Sequence, residues 1–329
     1  GENLQAVLHT IISGFQQVKD KLPEPPVAIS FAFPGPADYP NGIIGDLKNL
    51  PTFKGGVALG PMLEHHFGIP TFINNDGDLF VYGEAMAGLL PAINKELEEA
   101  GSPRRFKNLF GITLGTGFGG GLVIDGTLFT GDNSAGAEIW ALRSKSHPVA
   151  YAEEGVSIRA VKRVYARHSG INFEDSPEPK DIYAIAKGEK EGNQLAAIEA
   201  WKQLAENAGD ALANAITLVD ALVVVGGGLA GASDIILPYL VAEMNNPLCN
   251  IKGEPLCRTE LSAFNLEDLT QKAAFLKGQA KTIPVPGTSL TISYDPLQRT
   301  GVGVTRLGTS QAVSIGAYAF ALNKLDQKK

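Results

Sequence analysis

Three groups of residues in this chain have the types and spacing that chemistry needs. The first is Gly115-Thr116-Gly117-Phe118-Gly119-Gly120-Gly121, with five glycines in seven residues. Glycine reaches positive φ freely and lets backbone N–H groups come close to a ligand. Successive N–H groups in such a turn form a concavity suited to phosphate. The second group is a set of carboxylates. Asp76, flanked by Asn75 and Asp78, stands where an apolar run gives way to a helical pattern, the place in open α/β sheets where ligands collect. A carboxylate there could take a proton from a substrate hydroxyl, or it could only cap the helix. Glu138, in Gly136-Ala137-Glu138-Ile139, and Glu153, in Tyr151-Ala152-Glu153-Glu154-Gly155, are of the type that binds sugar hydroxyls by charge-assisted hydrogen bonds. Most glutamates are solvated surface residues, and that reading stays open for both. The third group is Gly226-Gly227-Gly228 after the apolar run Ala221–Val225. It would let a flat group such as adenine approach the backbone, or serve tight helix–sheet packing.

The elements that position these groups follow from hydrophobic pattern. The glycine stretch is preceded by Leu109–Leu114 and followed by Leu122-Val123-Ile124, Asp125-Gly126 and Thr127-Leu128-Phe129. An Asp-Gly pair between apolar runs predicts a hairpin. The stretch also satisfies Gly-x-Gly-x-x-Gly, but that pattern binds a dinucleotide only when a helix follows. Strand follows here, which excludes a nicotinamide or flavin site. Without Gly-Lys-Ser/Thr it is no P-loop either. A glycine-rich hairpin with no ligand remains the alternative.

Earlier in the chain, Leu4, Val7, Leu8, Ile11, Ile12 and Phe15 recur at helical spacing, predicting an amphipathic helix over 3–18. Val27–Phe33 reads as a buried strand ended by Pro34-Gly35-Pro36, residues 56–67 as a helix, and 70–73 as a strand leading into Asn75-Asp76 and a helix towards Gly88. The charged stretch 92–108 reads as a solvated linker, which places the first lobe at 1–108 plus 308–329 and a second, nucleotide-binding lobe at 109–307. Helices are expected at about 155–168, 180–188, 192–219, from 233 and over 309–323. Residues 250–290 read as structure added to the core. Strand–helix alternation suggests an α/β protein of two lobes with a cleft between them.

Composition narrows the class. The 329 residues are 44% hydrophobic and 19% charged, as in a folded globular protein. A net charge of −7 argues against a broad nucleic-acid footprint. Two cysteines, Cys249 and Cys257, are too few for a disulfide scaffold or a four-cysteine zinc site, and reduced thiols in a cytoplasmic protein are expected. The longest apolar run, near 221–232, is too short and glycine-rich to span a bilayer, so no membrane association is expected. The five histidines show no metal-ligand spacing.

In this order, the stretches resemble the ROK family of bacterial sugar kinases and sugar-responsive repressors, of the hexokinase–actin–heat-shock ATPase superfamily. Pro34-Gly35 is similar to the family's loop near the sugar. Asn75-Asp76 with Gly83-Glu84 is similar to its Asn-Asp…Gly-Glu motif, Gly115–Gly121 to its second phosphate loop, and Gly226–Gly228 to its adenosine motif. Glu138 matches the glutamate of Gly-Glu-Ile-Gly-His and Glu153 a later sugar-binding glutamate. The resemblance implies a two-lobed actin-like α/β fold (ribonuclease H-like) and an ATP-dependent sugar kinase. Asp76 would be the catalytic base. Gly35, Asn75, Glu138 and Glu153 would bind the sugar. Gly115, Thr116, Gly117, Gly119, Gly226, Gly227 and Gly228 would hold ATP with Mg²⁺, and dimers are common in the family.

The sequence departs from the family at three places. Trp140-Ala141 replaces the family's zinc-binding His, and Ser144-Lys145-Ser146-His147-Pro148 stands where its cysteine cluster would be; no zinc is expected. Trp140 could stack on a sugar or fill the place of the His. The first phosphate loop, an Asp-x-Gly-Gly-Thr hairpin, is not found before Val27. Since Gly1 is no initiator methionine, the expectation is that this chain begins after that hairpin. The alternative function is a non-catalytic sugar sensor of the repressor type, and the sequence does not name the sugar.

Overall fold

The computed structural model describes residues 3–35, 37–45, 47 and 50–327; Gly1 and Pro36 lie outside them. Helix α1 (Leu4–Lys19) begins at Asn3, whose side chain accepts a hydrogen bond from the Gln5 N–H at 3.0 Å. Its stripe of Val7, Leu8, Ile11 and Phe15 packs on a small core with Ile29, Ile44, Phe53 and Leu63. Strand β1 (Ile29–Ala32) is followed by a short hairpin, β2 (Ala37–Asp38) and β3 (Ile43–Ile44), and by helix α2 (Leu59–Phe67). Strand β4 (Thr71–Asn74) then pairs with β1 in parallel, Ala32 opposite Asn74. This two-stranded sheet is separate from the six-stranded main sheet.

Helix α3 (Asp76–Ala87) leads into α4 (Leu89–Glu99), which corrects the linker expected at 92–108. Leu89, Leu90, Ile93 and Leu97 fall on one face of α4 and are buried. The charges of Lys95, Glu98 and Glu99 mark only its outer face. Residues of α3 and α4 share one core with Leu109, Val123, Leu222 and Val224, so packing crosses the division expected near 108.

The main sheet starts with β5 (Leu109–Leu114), β6 (Phe118–Ile124) and β7 (Thr127–Phe129), consecutive and antiparallel. The Asp-Gly turn is there, with Asp125 at φ 48° and Gly126 at φ 77°. Helices α5 (Ile158–Ser169), α6 (Pro179–Ala186) and α7 (Gln194–Val219) cover one face. Strand β8 (Leu222–Gly226) returns parallel to β5, Thr113 opposite Gly226. After α8 (Ser233–Met244) come a hairpin, β9 (Leu248–Cys249) and β10 (Pro255–Leu256), then β11 (Ser262–Asn265) and α9 (Leu269–Lys277). A second hairpin, β12 (Lys281–Pro284) and β13 (Thr291–Tyr294), precedes β14 (Arg299–Val304) and the last helix, α10 (Thr309–Asp326).

The six-stranded order is β11-β14-β8-β5-β6-β7. Residues 250–290 are thus only partly additional: β11 is an edge strand of the sheet, and α9 places Phe275 in the core. Nothing apolar in Arg299-Thr300-Gly301 announces β14. Arg299 is nonetheless wholly buried, with Nη1 2.6 Å from the Asp295 carboxylate and its guanidinium 5.3 Å from the Phe275 ring centre.

Helix α10 crosses α3 where each carries a glycine. A Cβ on Gly83 would lie 2.0 Å from the Ala312 carbonyl oxygen, and one on Gly316 1.9 Å from that of Leu79. Only glycine allows that approach. Another side of α10 meets β1 and β4, with the Phe72 and Phe320 rings 6.1 Å apart. The last helix therefore packs on β1 and β4 while gripping α3. Among the described residues no helix is long and apolar enough to cross a membrane.

Candidate active site

The turn of the glycine hairpin is Gly115-Thr116-Gly117; from Phe118 onward the residues pair with β5. None of residues 115–121 has positive φ, which corrects the reason expected for these glycines. Gly117, Gly119, Gly120 and Gly121 are needed for close approach, while Gly115 is open. Gly119 faces Thr113, whose Oγ1 would be 2.4 Å from a Cβ, so it is strand packing and not part of a phosphate turn. A Cβ on Gly120 would lie 2.3 Å from the Ala137 carbonyl oxygen, and one on Gly121 2.7 Å from that of Gly77. Strand β6 thus receives the start of α3 and the segment carrying Glu138, drawing Asp76 and Glu138 together. In the turn, the Gly115 N–H donates to the Gly117 carbonyl at 3.1 Å and the Phe118 N–H to Glu153 Oε2 at 3.1 Å. The Thr116 and Gly117 N–H groups donate to no described residue, and Thr116 is exposed.

Asn75 caps α3, its Oδ1 accepting from the Gly77 N–H at 2.8 Å. Asp76 is the first helical residue; its Oδ1 also accepts from the Gly77 N–H, at 2.9 Å, and the residue is exposed. Capping is therefore met by Asn75, and Asp76 keeps an oxygen that no described residue engages. Tyr39, without any sequence signal, belongs to the same site. Its hydroxyl donates to the Phe33 carbonyl at 2.9 Å and accepts from Asn75 Nδ2 at 3.5 Å. Gly35 lies beside it: a Cβ there would be 2.6 Å from the Tyr39 hydroxyl.

Four titratable groups feel one another here. Burial raises the Tyr39 phenol above its ordinary value, the Asn75 hydrogen bond opposes this, and the Asp78, Asp76 and Glu138 charges add to it. Asp78 is 6% exposed. Burial first, then the charges of Glu138 and Asp76, push its carboxyl up to about 8. Glu138 is raised by partial burial, lowered by the hydrogen bond that the Trp140 indole N–H donates to its Oε2, and raised again by Asp76. Gly35, Tyr39, Asn75, Asp76, Asp78 and Glu138 thus form one cluster. Glu153 stands apart, against the glycine turn: Oε2 takes the Phe118 N–H and Oε1 is 3.3 Å from Arg159 Nη2.

Gly226–Gly228 end β8, beside the end of β5, where ligands collect in parallel sheets. A Cβ on Gly226 would strike the Phe80 ring at 2.5 Å, so that residue serves packing. Gly227, at φ 88°, donates its N–H to Thr309 Oγ1 at 2.9 Å and lies against Leu114, the residue before the glycine turn. Gly228 alone of the three is open, with nothing within 4 Å of a Cβ. Glu84, fully buried, accepts from the N–H groups of Leu89, Arg306 and Leu307 at 2.7, 3.2 and 3.0 Å and from the Thr305 hydroxyl. The Gly83-Glu84 pair is therefore structural, one residue setting the α3–α10 crossing and the other holding the loop before α10.

In place of a cysteine cluster, the 144–147 loop is tied by side chains. Asn207 Oδ1 accepts from the Ser146 hydroxyl at 2.8 Å and its N–H at 3.2 Å, and Lys145 Nζ lies 2.6 Å from Glu243. Among the described residues no group of His, Cys, Asp and Glu side chains is arranged to hold a metal. Cys249 and Cys257 are free and exposed.

A family model described as the ROK family matches residues 2–276. This chain belongs to the ROK family. It has the actin-like ATPase fold of the ROK sugar kinases it matches, mixed α/β around a central six-stranded sheet. The crystal structure of a glucokinase from Parabacteroides distasonis is 54% identical, with a TM-score of 0.89, over 96% of this chain and 86% of that one. A glucokinase from Thermotoga maritima is 28% identical over 249 residues, 70% of this chain and 72% of that protein. An N-acetyl-D-glucosamine kinase from Vibrio cholerae is 30% identical over 220 residues, 61% of this chain and 65% of its own length.

Proposed function

We propose that this ROK-family chain is an ATP-dependent sugar kinase, with glucose as the first acceptor to test, and that Asp76 is its base. The observation that carries the reading is that β6, whose turn offers the Thr116 and Gly117 N–H groups, also receives the Asp76 end of α3 and the segment of Glu138, whose charges act on each other. That is a carboxylate for a hydroxyl proton beside a cradle for phosphate oxygens. The kinases among its relatives, including the 54%-identical glucokinase, favour this over a sensor without chemistry.

In this reading Asn75 and Glu138 hold the acceptor sugar's hydroxyls. The Asp76 carboxylate takes the proton as the hydroxyl oxygen bonds to the γ-phosphorus, the bridging bond to the β-phosphate breaks, and ADP leaves. Thr116 and Gly117 hold phosphate oxygens, and the open Gly228 leaves room for adenine. Glu153 sits on the turn and steadies it while remaining near the segment that carries Glu138. Mg²⁺ carried on nucleotide phosphates needs only one or two protein carboxylates, and when bound it would neutralise phosphate charge. The protein's share of catalysis is positioning and electrostatics.

The test is sugar-dependent ADP release by the full-length protein across hexoses and N-acetylhexosamines. Turnover with glucose or another member of the panel is expected. Silence throughout, with sugar binding still measurable by thermal shift, would replace the kinase reading with the sensor.

A further inference from the structure

Beside Glu138 stands an exposed aromatic pair, Trp140 from the turn that follows it and Tyr151 from the next segment. Residues Ile139–Ala141 form one turn of 3-10 helix. Ile139 is 2% exposed and anchors the turn in the main core, so its neighbours Glu138 and Trp140 both emerge towards solvent. The Trp140 indole N–H donates to Glu138 Oε2, leaving Oε1 for a ligand. The rest of the indole is open: Trp140 is 36% exposed, and Tyr151, 59% exposed, stands against it at 5.3 Å with the planes at 62°. Tyr151 is itself fixed by a bridge to Arg143 and by the Ala152 N–H donating to the Leu142 carbonyl at 2.7 Å. Two exposed rings that brace each other beside a carboxylate give an apolar face next to a strong hydroxyl acceptor. A pyranose has the matching chemistry, with a face of C–H groups and a rim of hydroxyls.

From this geometry we infer that Trp140 is an acceptor-site residue: its N–H orients Glu138 and its ring face, braced by Tyr151, receives the C–H face of the sugar. The inference rests on Glu138 being a sugar ligand. It assigns to an indole the orientation of this carboxylate.

Two measurements test it. The chain has two tryptophans, and Trp201 is 1% exposed, so iodide quenching of fluorescence reports Trp140. In the full-length protein, saturating sugar is expected to lower that quenching at least two-fold; quenching that sugar does not change overturns the stacking. Trp140→Phe keeps a ring and loses the N–H. It is expected to raise the sugar KM about ten-fold, from the loss of a hydrogen bond to a charged group, with kcat within about two-fold. A stability loss with KM unchanged would mark Trp140 as merely structural and overturn the orienting role. If the variant fails to fold, the quenching result on the parent decides. Glu138→Gln separates the two readings. If it raises KM and Trp140→Phe does not, only the inference falls; if both leave KM at the parent value, the sugar-site reading falls with it.

Discussion

Asp78→Asn should make the protein more stable, and increasingly so as pH rises. Asp78 is 6% exposed, and no hydrogen bond from the described residues reaches its carboxylate. Burial and the neighbouring Glu138 and Asp76 move its carboxyl from 3.8 to about 8. At pH 7 the unfolded chain holds this group ionised and the folded protein holds it protonated, so folding takes up a proton. A raised carboxyl of this kind costs nothing below the unfolded value near 4; its penalty grows as pH rises and levels off near 8. From pH 4 to pH 7 the penalty accumulates at about 1.4 kcal/mol for each step of one in pH, and reaches about 4 kcal/mol. The start of α3 is a favourable place for negative charge and returns up to about 2 kcal/mol. Asparagine has the shape of the neutral acid and no proton to take up. The variant is therefore expected to exceed the parent by about 2–4 kcal/mol at pH 7, with the gap closing towards pH 4.5. Urea unfolding of both proteins at half-unit steps from pH 4.5 to 8.5 measures it. A pH-independent difference, or a variant less stable than the parent at pH 8, would refute a neutral Asp78.

Two further outcomes follow from the packing. Glu84→Ala strands three N–H groups and a hydroxyl and should cost about 3–5 kcal/mol in unfolding free energy; a loss below 1 kcal/mol would show that the loop before α10 holds without it. Asn207→Ala removes the acceptor of the 144–147 loop and should cost about 2 kcal/mol while speeding proteolytic nicking in that loop. Parent-like cleavage would mean that the Lys145–Glu243 pair suffices.

Much of this arrangement is legible in the sequence, because local pattern and tertiary structure agree. Asp125-Gly126 predicts the hairpin, the apolar repeat of α1 predicts the helix, and Asn75-Asp76 marks a strand-to-helix junction. Legibility ends where tertiary contacts decide. In α4 the charges are prominent, yet the four buried leucine and isoleucine positions decide the structure. Strand β14 is hidden by Arg299, whose charge is matched by Asp295 only once the chain has folded. The glycines of β6 have ordinary dihedrals, and their reason lies in Ala137 and Gly77, which approach from other parts of the chain. Tyr39 reaches Asn75 across 36 residues, and no spacing rule announces such a contact. Glu153 lies against the glycine turn, a placement set by the Phe118 N–H and Arg159 across the chain.

The most direct test of Asp76 as the base is sugar-dependent ADP release by full-length Asp76→Asn, alongside its sugar affinity by calorimetry. Asparagine preserves the shape and cannot accept the proton. Turnover should fall about a thousand-fold, within the range general-base removal gives, with sugar affinity within about three-fold of the parent. Turnover at the parent rate would contradict the assignment. Turnover and sugar binding lost together would mean that Asp76 holds the site's structure rather than its proton.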